Sequence, residues 1–440
     1  MKKYSILLLL LVLACCGLYA QSPQGWTLRE CIEHAIENNI SVRRTALGTE
    51  QSKIEKSTAK WSRLPNLSAS ARHNYSWGRT ASPIDNTYTN TNNMTTSFDL
   101  STSIPLFTGL ELPNQYELSK LNLKAAIEDL NKAKEDIAIN VTSAYLQVLF
   151  NLEISKVAQE QVRLSKEQNA RMQALADVGK ASPAEVAETR ARVAQEEMSA
   201  VNADNAYKLS LLDLTQLLEI PSPEGFTIQP PAEEPEFEHL VAPEIIYNQA
   251  SMSKPGILAA QYRLDGSQKS IRIAQSAYYP QLNFNAGLGS NYYRLNGVSD
   301  GSFFDQMDNH LNKYLGFSLS IPIFNRFRTR NNVRLARIQQ IDYSLRLDDA
   351  KKALYKEIQQ AWYNAIAAET RYNTSLIAVE ANEASFRLMR EKFENGQATF
   401  LEFNESRTNM SKAVSDQIQA KYDYIFMTKI LDFYKGQPLW

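Results

Sequence analysis

Cysteine is nearly absent: Cys15, Cys16 and Cys31 are the only three in 440 residues. The first two fall in the apolar start of the chain, so the exported protein keeps Cys31 alone and has no intrachain disulfide open to it. Glycine and proline are scarce too, at 16 each, which disfavours a turn-rich all-β fold and favours long unbroken helices. The four histidines, His34, His73, His239 and His310, are scattered, with no H-E-x-x-H and no Cys/His cluster at metal-ligand spacing. A phosphate-cradling glycine loop and a G-x-S-x-G elbow are also missing. No enzyme activity, cofactor or metal is expected. There is no charge surplus either: 47 basic against 48 acidic residues leave a net charge of −1, and a phosphate binder needs a basic excess. Nucleic acid is excluded as a partner. Past the N-terminus no apolar run of about 18 residues is found, and the mean hydropathy is −0.37. No transmembrane helix is expected in the exported chain.

What is present begins with an export signal. Lys2 and Lys3 precede an apolar run from Tyr4 to Cys16, and a small-residue site ends at Ala20. Residues 1–20 therefore read as a signal peptide cleaved between Ala20 and Gln21. Acylation of Cys15 or Cys16 is the alternative, although the residues before each fit a lipoprotein site poorly. The remainder, 44% hydrophobic and 22% charged, has the balance of a folded chain.

A repeat organises that remainder. Ser103-Ile104-Pro105-Leu106-Phe107 returns 217 positions later as Ser320-Ile321-Pro322-Ile323-Phe324. At the same offset Gly179, Glu185, Glu188 and Arg190 return as Gly396, Glu402, Glu405 and Arg407. The reading is a first repeat over 21–220, a Pro-rich linker over 221–242, a second repeat over 243–435 and a short tail, 436–440.

Each half reads helix, strand, polar loop, strand, very long helix, glycine turn, helix. Leu67, Ala69, Ala71, His73, Tyr75 and Trp77 alternate with Asn66, Ser68, Ser70, Arg72, Asn74 and Ser76. Phe98, Leu100, Thr102 and Ile104 alternate with Ser97, Asp99, Ser101 and Ser103, and two further strands, 281–288 and 315–321, repeat the pattern. Strands of about ten residues cross a bilayer when tilted. Tyr75, Trp77, Tyr292 and Tyr293 sit where an aromatic girdle would lie, and the loops 79–94 and 294–312 are polar. A half-buried soluble sheet has the same alternation; the export signal, strand length and aromatic ends favour the membrane. The helical stretches at 111–178 and 328–394 are each nearly seventy residues, rods of roughly 100 Å, with partners expected at 27–62, 183–219, 243–279 and 399–435. The arginines Arg326, Arg328, Arg330, Arg334 and Arg337 follow the fourth strand, as a solvated helix start or as contacts to lipid headgroups or the pore.

Four strands cannot close in hydrocarbon, because an open edge leaves N–H and C=O groups without partners. Copies must share a barrel, eight strands from two chains or twelve from three, and a conducting lumen favours three or more.

This order of elements, the duplication, the two Ser-Ile-Pro junctions and the two glycine turns resemble the TolC-type outer-membrane efflux proteins, over residues 26–434. The resemblance implies an α+β membrane protein: a homotrimer whose four strands per chain build a transmembrane β-barrel continuous with a long α-helical barrel. It implies an exit duct in the outer membrane, extending into the periplasm, for a tripartite efflux pump or type I secretion system. The partners it implies are a periplasmic adaptor, outer-membrane lipid and, indirectly, an inner-membrane transporter. A periplasmic coiled-coil scaffold without a pore is the alternative, but it has no need of four alternating strands. By resemblance Glu402 and Glu405, flanked by Glu185 and Glu188, ring the periplasmic entrance, and Gly179, Lys180, Gly396 and Gln397 form the tip that meets the adaptor. Two such charges about 6 Å apart repel by roughly 3 kcal/mol at an effective dielectric near 20, which would raise some carboxylate pKa values and attract multivalent cations. Where relatives latch the entrance with Tyr and Arg, this chain has Phe393 and Ala398.

Overall fold

The computed structural model describes residues 25–81, 87–90, 92–230, 240–295 and 301–439. The signal peptide, Cys15, Cys16, His239, the middle of the linker and parts of both polar loops lie outside the described residues. The elements are α1 (Leu28–Asn38), α2 (Ile40–Trp61), β1 (Asn66–Ser76), β2 (Arg79–Ala81), β3 (Tyr88–Asn90), β4 (Asn93–Phe107), α3 (Glu111–Asp177) and α4 (Pro183–Leu217). They continue with α5 (Pro243–Ser253), α6 (Pro255–Ser276), β5 (Gln281–Leu295), α7 (Phe303–Asn309), β6 (Asn312–Ser320), α8 (Arg328–Glu394) and α9 (Phe400–Tyr434). The helices recur with identical lengths, 11, 22, 67 and 35 residues in each half. The compact units cut across the sequence halves. One comprises residues 47–128 and 258–349; the other takes the rest.

The first unit holds an antiparallel sheet of order β1-β4-β5-β6. Its register sets Leu67 against Thr102, Thr102 against Ala286 and Ala286 against Leu315, and likewise Ile104, Phe284 and Phe317 in line. Paired residues in an antiparallel ladder share a face, so all four apolar sets fall on one side. Asn66, Ser103 and Asn285, paired in turn, and Ser70 with Asp99 lie on the other. The strands run 11, 15, 15 and 9 residues, less even than the ten expected. Between Pro105 and Phe107 the β4–β5 register slips by a bulge, which accommodates a proline that has no N–H for the ladder. The first polar loop carries the short ribbon β2–β3, and the second carries α7; neither was expected.

In the other unit the expected helices 27–62 and 243–279 are each broken in two, and the break is held by one side chain. Asn39, extended at φ −59° and ψ 129°, donates from Nδ2 to the Leu217 carbonyl at 3.1 Å and accepts from Ser41 N–H at 2.9 Å. Its repeat counterpart Lys254, φ −67° and ψ 129°, donates to the Phe433 carbonyl at 3.1 Å and to Glu135 at 3.3 Å, with its ammonium 3.2 Å from the Phe433 ring centre. Burial drives the Lys254 pKa down and the Glu135 pKa up. Each break thus binds the last turn of a 35-residue helix, whose carbonyls are free to accept. The core around α1 joins Ile32, Ala35, Val141, Val148, Leu149, Leu214 and Leu218. Trp26 makes a parallel bridge to Ile228, and the Tyr145 hydroxyl reaches the Trp26 and Gln229 carbonyls. One stretch of α3 is apolar and long enough to cross a membrane, contrary to the sequence reading. Val141, Val148 and Leu149 show why it is apolar: they are packed inside this core.

Both strand-to-helix junctions turn through two consecutive left-handed residues, Gly109 and Leu110 (φ 63° and 66°), then Arg326 and Phe327 (φ 55° and 61°). Gly109 is further confined, since a Cβ there would lie 2.5 Å from the Ser276 carbonyl oxygen. Gly179 has a similar φ of 74° but open space around it. Gly179→Ala should therefore cost about 1–2 kcal/mol, the left-handed penalty alone. Gly109→Ala should lower the melting temperature of the purified protein well beyond that. Equal shifts would show that the junction gives way freely.

Candidate functional site: hairpin turns and a two-faced sheet

The two helical hairpins close by the same device. The Gly179 N–H bonds the Ala176 carbonyl (2.9 Å) and the Lys180 N–H the Leu175 carbonyl (2.8 Å); Gly396 and Gln397 repeat this with Phe393 and Lys392 (3.1 and 2.8 Å). This is a Schellman ending, which glycine serves because it accepts a positive φ. The following helices start with capping boxes. Ser182 Oγ accepts from the Glu185 N–H while the Glu185 carboxylate accepts from the Ser182 N–H at 2.7 Å; Thr399 and Glu402 do the same at the same distance. Gly179, Lys180, Gly396 and Gln397 are all exposed, as expected of a tip.

Glu402 and Glu405 share a face of α9, and Glu185 and Glu188 share one of α4, at i,i+3 spacing. Within a single chain the carboxylates of Glu402 and Glu185 are governed by their own helix caps. Hydrogen bonds from the Thr399 and Ser182 backbones, then from their hydroxyls, hold both carboxyls below the usual carboxylate range. The cause is local: a charge-assisted acceptor at a helix N-terminus is favoured as the anion. Phe393 is no solvent-facing substitute for a latch. It stacks on Phe403 (4.8 Å, 19°) and meets Phe400 (6.1 Å), with Phe386 5.7 Å from Phe403. This aromatic cluster knits α8 to α9 just above the turn.

Arg407 escaped the sequence reading as a functional residue. Its repeat equivalent Arg190 is exposed, whereas Arg407 is buried, donating to Ser165 Oγ at 3.1 Å and lying 3.8 Å from Glu196, which also pairs with Arg192 at 2.7 Å. Burial first, then Arg192, pulls its pKa below the usual guanidinium value, and Glu196 opposes this. The only sequence signal was the Arg190–Arg407 match, which carries no burial information. Between α8 and α9 runs a polar groove of about 630 Å³ that includes Arg371, Lys412, Asp416 and Asp423. Among the described residues no cluster of three or more His, Cys, Asp and Glu is placed to hold a metal ion.

On the sheet, the four girdle residues do not act together. Tyr75 pairs with Met94 and Met94 with Arg294, while Tyr292 pairs with Thr96 and Thr96 with His73, so Tyr75, Trp77 and Tyr292 follow the apolar side. Tyr293, paired with Thr95, belongs to the polar side. Tyr75 and Trp77 stack at 6.0 Å and are 58% and 74% exposed. Tyr293 stacks on His310 at 5.4 Å. Arg330, in the arginine run, lies over the Phe327 ring at 4.4 Å.

A sheet with one apolar and one polar face, in a chain otherwise made of long helical hairpins, defines an outer-membrane channel protein. Comparison with known proteins names the kind. The chain belongs to the outer membrane efflux protein family, whose model matches residues 31–219 and 246–426. It is 23% identical to the outer membrane protein TolC of Escherichia coli over 97% of this chain and 84% of the relative. It is 24% identical to the outer membrane protein OprJ of Pseudomonas aeruginosa, over 86% and 77%. Its structure resembles the CmeC outer membrane channel of Campylobacter jejuni with a TM-score of 0.78 at 19% identity, covering 93% of this chain and 85% of the other. The protein is an outer-membrane efflux channel, combining an α-helical barrel with a β-barrel, and its family is one of transport proteins.

The capping boxes give a pH dependence. Because the folded-state pKa of Glu402 lies below 4.5, its contribution is complete above that value and is lost as pH falls through the lower folded value. Amide-exchange protection in the first turn of α9, corrected for intrinsic rate, should fall over that acidic window. In Glu402→Gln, which keeps a capping acceptor without the charge, the fall should disappear. An unchanged profile in the variant would remove Glu402 from the cap.

Proposed function

We propose that three copies of this chain assemble into a passive exit duct that receives cargo from a periplasmic adaptor and an inner-membrane pump, and that the channel transports without catalysis. The observation that carries this reading is the four-stranded sheet with two open edges, β1 and β6, and two faces of opposite polarity. β1 of another copy, 11 residues, meets β6, 9 residues, with the same alternation of polarity, and three copies give twelve strands and a lumen lined by Ser, Asn and Thr. Tyr75, Trp77 and Tyr292 form the aromatic belt; Tyr293 faces the lumen. The glycine turns form the adaptor-contact tip, supported by their exposure and their shared backbone geometry. Glu402 and Glu405, with Glu185 and Glu188 beside them, ring the periplasmic entrance. The aromatic cluster of Phe386, Phe393, Phe400 and Phe403 stiffens the α8–α9 hairpin in place of a Tyr/Arg latch. Cargo selection belongs to the pump that feeds the duct.

The purified protein should run as a heat-sensitive trimer and conduct in planar bilayers; a monodisperse monomer without detergent overturns the reading. Glu402→Gln with Glu405→Gln should lower cation-over-anion permeability several-fold and relieve block by multivalent cations added from the periplasmic side. Unchanged selectivity and block leave a duct without that gate. Gly179→Trp or Gly396→Trp should abolish efflux in cells at normal trimer yield, and surviving efflux would place adaptor contact elsewhere.

A further inference from the structure

The short helix α7 lies apart from the strands and long helices of the duct, and its chemistry is specific. Phe303, Phe304 and Met307 recur at i, i+1 and i+4, Leu311 follows one turn later, Asp305 and Asn309 take the other side, and Asp308, four residues after Phe304, borders the Phe304 face. A capping box of Ser302 and Asp305 starts the helix. Side-chain contacts fasten it to the part of β5 that β6 leaves unpaired beyond Gly289. The Gln306 amide accepts from the Tyr293 N–H (3.0 Å) and donates to the Tyr293 carbonyl (3.1 Å), standing in for a neighbouring strand. Ser290 Oγ donates to the Met307 carbonyl at 2.7 Å, and the Phe303 and Tyr292 rings meet at 5.1 Å. Ser290 and Tyr292 belong to the apolar face. Met307 and Leu311 wall a cavity of about 550 Å³ shared with Ala71, Phe98, Leu100 and Leu288 of that face. Phe303, Met307 and Leu311 therefore reach the side of the sheet that meets lipid, while the C-cap His310 bonds the Asn291 carbonyl at 2.7 Å and stacks on Tyr293 at the strand edge.

Its outer surface is unsuited to water. Phe304 is 80% exposed, with Leu311 at 47% and Phe303 at 40%, and exposed apolar area costs about 25 cal/mol per Å². This surface continues the apolar face of the sheet at the end that carries Tyr75 and Trp77. That continuity names the occupant: acyl chains, with the polar side turned to the headgroups. We propose that α7 is an interfacial lipid anchor, lying in the outer leaflet with Phe303, Phe304 and Leu311 in the acyl boundary and Asp305 and Asn309 among the headgroups, fixing the depth of the sheet. The inference rests on the membrane placement of the sheet. Conductance of the unmodified protein tests that placement separately, so an anchor failure with conductance intact falls on the anchor alone.

The test is a nitroxide label at Phe304→Cys in vesicles of phosphatidylethanolamine with phosphatidylglycerol. Cys31 does not compete, being fully buried with a thiol pushed up to about 12. The ratio of oxygen to nickel-chelate accessibility at position 304 should be several-fold above that at Asn309→Cys on the opposite side of the helix, and on the side of Leu315→Cys, an apolar-face position 76% exposed. A ratio at 304 equal to that at 309 overturns the anchor, since the helix then stands in water. Shielding of position 304 from both reagents also overturns it, because a second copy then covers the phenylalanines.

Discussion

A strand edge in hydrocarbon has nothing to bond with, and the architecture of the sheet follows from that constraint. Within the chain β4 and β5 are paired on both sides, while β1 and β6 each leave one side open. The chain also deals with a smaller exposed edge by itself. Where β6 stops opposite Gly289, the Gln306 side chain supplies the donor and acceptor that the Tyr293 backbone lacks. A glutamine on a short helix thus does over one residue what a whole strand must do along β1 and β6.

Duplication gave both halves the same element lengths, but not the same chemistry at equivalent positions. Asn39 and Lys254 each hold a helix break against the end of a 35-residue helix, one with a neutral amide and the other with a buried ammonium that also needs Glu135 and an aromatic face. The second solution is the more demanding, because a buried charge must be paired. At the strand-to-helix junctions the same left-handed geometry is met by Gly109 in one half and by Arg326 in the other. Gly109 lies against the Ser276 carbonyl and has no room for a side chain, so the two junctions tolerate different residues. The halves are therefore equivalent in backbone and distinct in which residues each site accepts.

Much of the fold was legible because two of its signals are local. Period-two alternation depends only on neighbours along a strand, so each strand's own apolar side, Leu67 with Ala69 or Phe98 with Leu100, is legible before any pairing is known. The same rule already separates Tyr292 from Tyr293, which adjacent strand positions must place on opposite faces. Glycine followed by Ser or Thr and then Glu is likewise a local code for a turn and a capped helix. Less legible were features that depend on distant partners. Nothing near Asn39 or Lys254 announces that Leu217 or Phe433 lies within reach, and no local pattern tells Arg407 from Arg190.

The amino-acid sequence by itself determined the repeat, the faces of the strands, the long helices and their turns, since each arises from contacts within a few residues. It also determined that the sheet could not close alone, since four strands are too few at any register. Only the tertiary structure decided which charges are buried. Whether Arg407 meets Ser165 and Glu196 or meets solvent depends on how α3, α4 and α9 pack, and burial is what changes a guanidinium from a solvated group into one that needs partners.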